Sequence, residues 1–418
     1  MRILLITNYF PPEIGAASHL YHDLARSLVE RGHALTVVTG FPRYNISRRR
    51  AGWRLFRREK LEGIDLVRVQ VTPFLSGRQI ARKIEYFSVM PAFLLGGVLA
   101  ARHDVAIAYS PPIPVGMSAY MLKKLKGIPF ILNVHDIHPQ ALVDIGFVSN
   151  PVLISLLRSM EKTLYREAAT VAVHSEGNAV YLEGRGVDPR RLAVLPVWVD
   201  LDEIRPRERS NGFRREIGVN EEFLVVFAGT MGTSQDVESI VRAAHRLRDR
   251  ADIRFALVGD GVEKPVLQRL SDGLGLENVR FHPMQLRERY PDVLAAADVS
   301  LVTLKKEVVT PVVPSKLLSA MASGRPVVLG ADPNGDAPLM VRAAESGICV
   351  PPEDPDSLAA AILHLYADRS AGEAMGRNGR RFVERHYSRE VCVARCEVLC
   401  ERVLAGETLP RARALSPR

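Results

Sequence analysis

The residues best suited to chemistry lie where an apolar run stops and a polar cluster begins. Pro129 to Val134 reads as a buried strand that ends in Asn133, His135, Asp136 and His138. In an open α/β sheet, ligands sit beyond the carboxyl ends of the strands, so these four side chains fall where a polar substrate would be bound or transformed. The alternative is structural: His135 and Asp136 cap the helix that follows.

Other segments are shaped for phosphate. NYFPPEIGAAS, with Gly15, and AGTMGTSQD, with Gly229, Thr230 and Gly232, each follow a strand and precede a helix. Free backbone N–H groups and the positive end of a helix dipole are the expected anion holders there. LVGDGVEK adds Gly259, Gly261 and Lys264, and VPSKLLSAMASGRPVV adds Pro314 and Ser315 at a helix start with the charge of Lys316. A lone GDG turn also serves as an ordinary strand-to-helix connection, but both elements follow the expected strands of one domain and so point at one pocket. None of these loops reads GxGxxG with an acidic residue closing the next strand, and none reads GxxxxGK[ST]. Nicotinamide chemistry and a P-loop nucleotidase therefore lose their basis.

Two doubly wound halves must position these loops. Short β-branched runs alternate with amphipathic helices at Arg2 to Thr7, Ala34 to Thr39, Leu66 to Val71, Val105 to Tyr109, Phe130 to Val134, Thr170 to His174 and Leu192 to Leu195. A linker at roughly Val199 to Gly212 precedes a second series at Phe223 to Ala228, Arg254 to Val258, Val279 to His282, Val299 to Thr303, Pro326 to Leu329 and Ile348 to Val350. The expected fold class is α/β: two Rossmann-like domains, 1–200 and 213–387, facing a cleft, with a helix over 388–405 returning to the first.

The 418 residues suffice for two full cores. The formal charge of +9 is concentrated in the first third, where Met1 to Lys126 holds 19 Lys/Arg against 8 Asp/Glu. Arg48, Arg49, Arg50, Arg57 and Arg58 are interleaved with Trp53, Leu55 and Phe56, while Arg82 and Lys83 lead into an apolar segment ending at Ala101. Basic residues beside apolar ones suit an anionic membrane surface or a lipid-linked phosphate. A solvated loop face is the alternative, and nucleic acid is not expected, since no recognition helix or RNA-binding signature accompanies the charge. No secretory leader is recognisable at Met1, and the run Phe87 to Ala101 falls short of a spanning helix. The expected location is cytoplasmic, peripheral to the inner face of the plasma membrane. Cys392, Cys396 and Cys400 recur every fourth residue as a packing stripe, and together with Cys349 they show no ligand spacing for zinc or any other metal.

Taken in order, NYFPPEIGA, TGFPRY, YSPPIPVG, NVHDIHPQ, RGVDPRRLAVLPVWVD, AGTMG, VGDGVEK, NVRFHP and VPSKLLSAMASGRPVV resemble the family 4 retaining glycosyltransferases of two-domain GT-B architecture. Within them the chain is similar to the bacterial surface-polysaccharide branch that includes L-fucosamine transferases of O-antigen synthesis and colanic-acid glycosyltransferases. The resemblance, which runs from Met1 to about Tyr387, implies a nucleotide-sugar donor held mainly by the second domain and a lipid-linked saccharide acceptor held by the first. It implies further that Phe281, His282 and Met284 run past the base and that Gly259, Gly261 and Lys264 line the nucleotide pocket. Pro314, Ser315 and Lys316 would meet the diphosphate, Gly15 would lie near it, and His135 and Asp136 would stand beside the transferred sugar.

The chain departs from the broader family at four positions. Its usual Arg and Lys by the second glycine loop are replaced by Thr230 and Gln235, and its two glutamates fall on Pro311 and Ser319, the second being the usual ribose acceptor. The implied reaction is retaining transfer from a UDP-sugar without a metal or other cofactor, the departing diphosphate being stabilised by N–H groups and Lys316. A hydrolysing sugar-nucleotide epimerase and a catalytically weakened nucleotide-sugar-binding partner are the alternatives.

Overall fold

The computed structural model describes residues 1–13, 16–42, 55–71, 79–140, 143, 148–308 and 311–407, without the side chains of 16 and 79–84. The described residues divide into one compact unit of Met1–Pro196 with 393–407, and another of Val197–Cys392. The first boundary falls a few residues before the expected 200.

The first unit carries eight strands: β1 (Arg2–Ile6), β2 (Ala34–Gly40), β3 (Phe56–Leu61), β4 (Ile64–Val69), β5 (Val105–Ser110), β6 (Phe130–Val134), β7 (Thr170–Val173) and β8 (Leu192–Val194). Their order is β3-β4-β2-β1-β5-β6-β7-β8, parallel except for β3. Strands that are buried along their length, such as VAIAYS and FILNV, are apolar on both faces because helices cover both sides of a parallel sheet.

β3 is a correction to the reading of Arg57 and Arg58 as part of a solvated loop. FRREKL shows almost no apolar alternation, so periodicity does not reveal it. It forms because Glu62 (φ 51°) and Gly63 (φ 83°) make a two-residue turn of the kind that matches strand twist, pairing Leu61 with Ile64 back along β4. Arg57 pairs with Glu59 at 3.3 Å, and Arg58 donates to the Leu99 carbonyl at the end of helix Gln79–Leu99. Both arginines remain solvent-exposed.

That helix also corrects the expectation that its apolar stretch meets a membrane. Val89, Ala92, Phe93 and Ala100 are buried in the core of the first unit. A Cβ on Gly96 would lie 2.7 Å from Val38 Cγ1 and one on Gly97 would lie 2.4 Å from Leu122 Cδ1, so the glycine pair permits close packing on the sheet and on helix Ile113–Lys126. No helix among the described residues is long and apolar enough to cross a membrane. Arg48, Arg49 and Arg50 lie outside the described residues, as do Gly15 and the side chains of Arg82 and Lys83.

The second unit is a six-stranded, fully parallel sheet in the order β11-β10-β9-β12-β13-β14. Its strands are β9 (Phe223–Ala228), β10 (Ile253–Val258), β11 (Val279–His282), β12 (Val299–Thr303), β13 (Val327–Gly330) and β14 (Gly347–Val350). The final helix, Arg389–Ala405, buries Cys392, Cys396 and Cys400, all unbridged, and His33 Nε2 lies 2.6 Å from Glu397 Oε1 within the first unit.

Candidate functional site

In the first unit the carboxyl ends of β1, β5, β6 and β7 converge on a cluster of rings. Helix Ala16–Glu30 brings Tyr21 to β6, where its hydroxyl accepts from Asn133 Nδ2 at 2.9 Å and stands 2.8 Å from His135 Nε2. Tyr109 packs edge-on against Tyr21 at 5.0 Å and against His135 at 4.8 Å, and His174, from the end of β7, meets the His135 ring at 3.9 Å.

Proton positions follow from satisfying the buried groups. The Tyr21 hydroxyl has one proton, and His135 Nε2 is the only described acceptor within reach. With Tyr21 assigned as the donor to that nitrogen, Nδ1 carries the hydrogen of His135. His174 is fixed by its Nδ1 at 3.0 Å from the Leu195 carbonyl, which leaves its buried Nε2 without a partner. Burial presses His135 well below the ordinary imidazole range, and the neighbouring His174 presses it further. Burial takes His174 and His138 down to about 4. All three rings are therefore neutral at pH 7, so His135 is a preset N–H donor rather than a cation. Asp136 is open to solvent by area, yet the atoms crowded round its carboxyl raise it above its ordinary value.

Acid stability provides a check on this part of the site. Histidines held neutral in the folded state but titrating near 6.5 when unfolded bind more protons in the unfolded chain, so stability is complete above about 6.5 and is lost as pH falls toward about 4. The urea midpoint is expected to drop across that window. His174→Gln should flatten the drop; a midpoint that is level from pH 7 to 4 would contradict the neutral rings.

The second unit builds its site from stacked loops. Gly229 N–H bonds the Val258 carbonyl at 2.9 Å, Gly259 N–H the His282 carbonyl at 3.1 Å, and Met231 N–H the Asp260 carbonyl at 2.8 Å. The loops touch so closely that a Cβ on Gly259 would lie 1.9 Å from the Gly229 carbonyl oxygen, and one on Gly261 would lie 2.3 Å from that of Met231. Gly259→Ala is accordingly expected to displace backbone, costing on the order of 1–3 kcal/mol. Thermal denaturation checks this, and an unshifted melting temperature would refute the packing.

Lys264 Nζ lies 2.8 Å from the Gly259 carbonyl and 3.2 Å from that of His282, so its charge ties the loops together. Lys316 is placed differently. It stands in the first turn of helix Ser315–Ala322, whose N-cap Pro314 gives no side-chain hydrogen bond to the first N–H groups. Its stem lies over Gly229, its Nζ sits 4.8 Å above the Phe227 ring, and it donates to Gln235 Oε1 at 2.5 Å. Burial lowers the ammonium to about 8.

Thus the position expected to have lost its lysine, Gln235, receives an ammonium from the neighbouring helix. Ser319 lies beside the half-buried Tyr290. Phe281 is packed into a core cluster, Met284 is exposed and Thr230 is exposed. The sequence reading brought out His135, Asp136 and Lys316 but missed Tyr21, which sits in an amphipathic helix with no local signal. His174 was visible only as the end of a strand.

Comparison with known proteins bears on the family and the fold. The profile "Glycosyl transferase 4-like domain" matches residues 15–198 and "Glycosyl transferases group 1" matches 222–368. WcaI of Escherichia coli K12, whose name assigns it to colanic acid biosynthesis, is 23% identical over 372 residues, 87% of this chain and 91% of that protein. A GDP-mannose-dependent phosphatidylinositol monomannoside mannosyltransferase of Mycobacterium tuberculosis is 25% identical over 406 residues, 94% of this chain and 96% of its own. Among solved structures, sucrose-phosphate synthase of Thermosynechococcus elongatus superposes with a TM-score of 0.76 at 20% identity, covering 97% of this chain and all of that one. HepE of Anabaena, solved with UDP, gives 0.72 at 18% identity, covering 96% of this chain and all of that one. With two parallel α/β sheets and both glycosyltransferase profiles matched in order, the chain belongs to the GT-B glycosyltransferases of the group 1, family 4-like kind.

Proposed function

We propose that this glycosyltransferase moves a sugar, with retention of anomeric configuration, from a UDP-sugar to a lipid-linked or saccharide acceptor in bacterial surface polysaccharide synthesis. The observation that carries the reading is Lys316, a desolvated ammonium at an uncapped helix start beside the loop of Gly229. An anion with two phosphates suits that place, because the N–H groups and the ammonium are fixed before charge develops on the leaving group. The name of WcaI supports the polysaccharide role, and HepE, solved with UDP-glucose, supports a uridine donor.

In this mechanism the bond between the anomeric carbon and the diphosphate oxygen breaks while the acceptor hydroxyl bonds to the same carbon from the same face. The hydroxyl proton passes to the departing phosphate oxygen. His135 donates Nδ1–H to a hydroxyl of the transferred sugar, and Asp136 accepts from another. Lys316 and the helix start carry the leaving charge, so no metal is needed and a chelator leaves the rate unchanged.

The test is mass-spectrometric transfer, with UDP- and GDP-sugars offered against undecaprenyl-diphosphate-linked saccharides. Transfer of a sugar with retained configuration is expected. Sugar release or epimerisation that ignores the acceptor would overturn the reading in favour of a hydrolase or epimerase. Donor binding with no turnover across the panel would leave only a binding protein.

Attachment to the inner membrane face belongs to the same proposal and rests on the basic run of the first third. Each basic residue near an anionic surface contributes on the order of 1 kcal/mol, screened within roughly 10 Å. Vesicle binding is expected to fall as salt rises and to vanish on neutral lipid. Charge reversal of Arg48, Arg49 and Arg50 should weaken it while sparing a soluble acceptor. Salt-insensitive binding would contradict an electrostatic surface.

A further inference from the structure

The second sheet has another end. The glycine loops leave the carboxyl ends of β9 and β10; at the opposite end, where β9 begins at Phe223 and β13 is entered through Pro326, lies a cavity of about 340 Å³. Its polar lining is mostly guanidinium: Arg209, Arg325, Arg369 and Arg377, against Asp298 and Glu373.

The carboxylates do not balance this charge. Asp298 accepts from Arg209 and from the fully buried Arg214, each at 2.5 Å, and from the Leu224 N–H at 2.7 Å, while Arg369 stands 3.5 Å away. Glu373 lies 3.8 Å from Arg377, and Glu221 reaches Arg209 at 3.6 Å from an almost fully exposed position. Within ion-pair distance, Arg209, Arg214, Arg369 and Arg377 thus face Asp298, Glu373 and Glu221, the last two largely exposed, while Asp252 acts on Arg369 from farther away. Arg214 is consumed by three backbone carbonyls besides Asp298.

Arg325 is not consumed. Its Nη2 donates to the Arg207 carbonyl at 3.0 Å, but its Nε is buried with no partner among the described residues. Burial lowers its guanidinium, and Arg209 and Arg214 lower it further against the opposing pull of Asp298. Arg369 lies over Phe223, 5.1 Å from the ring centre, and over Tyr366 at 5.7 Å. An orphaned buried donor and crowded like charges in a concave site are both relieved by an anion with several acceptor oxygens. Guanidinium forks match phosphate oxygens two at a time.

We propose that this cavity is a second anion site, which takes the phosphate or diphosphate group of a ligand at the end of the sheet opposite the glycine loops. It is separate from the donor site, and it stands on the arginine geometry whether or not the transfer reaction is as proposed. The group comes either from a free phosphorylated molecule or from a lipid headgroup.

Calorimetric titration of the full chain with inorganic pyrophosphate tests it, comparing the native protein with Arg325→Gln, Arg377→Gln and Lys316→Ala. Two pyrophosphates are expected per native chain. Each arginine variant should weaken one of them by about ten-fold or more, as for the loss of one charge-assisted hydrogen bond, while UDP binding is unchanged. Lys316→Ala should spare that arginine-dependent site. Arg377 is two-thirds exposed, so its variant remains informative if Arg325→Gln fails to fold by circular dichroism.

A second arm uses vesicles of phosphatidic acid in phosphatidylcholine. Capture that weakens in both arginine variants, without binding of free pyrophosphate at this site, assigns the phosphate to a lipid headgroup; pyrophosphate binding that depends on these arginines assigns it to a free ligand. If neither pyrophosphate nor vesicle binding responds to Arg325→Gln or Arg377→Gln, the proposal fails. A single pyrophosphate abolished by Lys316→Ala, with vesicle capture unaffected by the arginine variants, refutes it equally.

Discussion

His135→Ala and Asp136→Ala are each expected to lower the turnover number by about a hundred-fold while nucleoside diphosphate affinity stays nearly constant, the pattern of groups that act on the sugar rather than on the nucleotide. For His135 the argument rests on a preset proton. Asn133 donates to the Tyr21 oxygen, and with Tyr21 assigned as the donor to Nε2, Nδ1–H is left to meet the sugar. Because burial and His174 hold the ring neutral, turnover should show no protonation step near pH 6.5 from His135. Tyr21→Phe keeps the ring packing but removes the hydroxyl, and it should cost about ten-fold in turnover with little change in donor affinity. Single-turnover kinetics with parallel measurement of UDP binding separates these effects. An equal loss of nucleotide affinity in His135→Ala, or an acid limb at pH 6.5 that disappears with it, would overturn the assignment.

Parts of this site were legible in the sequence because strand ends in parallel α/β sheets are sharply marked. FILNV gives way to HDIH, and FLVVFA gives way to AGTMG, so the location of the loops follows from burial alone. Both sheets follow from the same signal, with one exception. β3 is almost wholly polar, and only the Glu62-Gly63 turn could have disclosed it. The apolar stretch from Phe87 was misread because a run too short to span a bilayer can be either core or surface. Gly96 and Gly97, which bring the helix against Val38 and Leu122, place it in the core. Contacts made across the sheet leave no trace in local spacing. Tyr21 and His135 are 114 positions apart, and Lys316 and Gln235 are 81 apart. The replacement at Gln235 reads in sequence as a lost charge, whereas in the fold an ammonium from another element occupies the same place.

That substitution of one element's charge for another's gives the second large effect. Lys316→Ala is expected to weaken UDP binding by roughly 1.5–3 kcal/mol, about ten- to a hundred-fold, and to leave uridine almost untouched. The loss should depend on pH. In the free protein burial lowers the Lys316 ammonium to about 8. A bound diphosphate favours the charged form and raises it, so binding takes up a proton once the free amine has lost its own. Affinity of the native chain should therefore be complete below about pH 8 and fall with a limiting slope of about ten-fold per unit above it. Lys316→Ala should show no such step. Because Gln235 Oε1 lies 2.5 Å from Lys316 Nζ, Gln235→Lys in the Lys316→Ala background returns an ammonium to almost the same point from the opposite element. It should restore much of the affinity and the pH step together. Calorimetry with UDP and uridine from pH 6.5 to 9.5 reads all three quantities. If the ratio of UDP to uridine affinity is the same in Lys316→Ala as in the native chain, the ammonium does not meet the diphosphate; if Gln235→Lys restores nothing, the equivalence of the two positions fails.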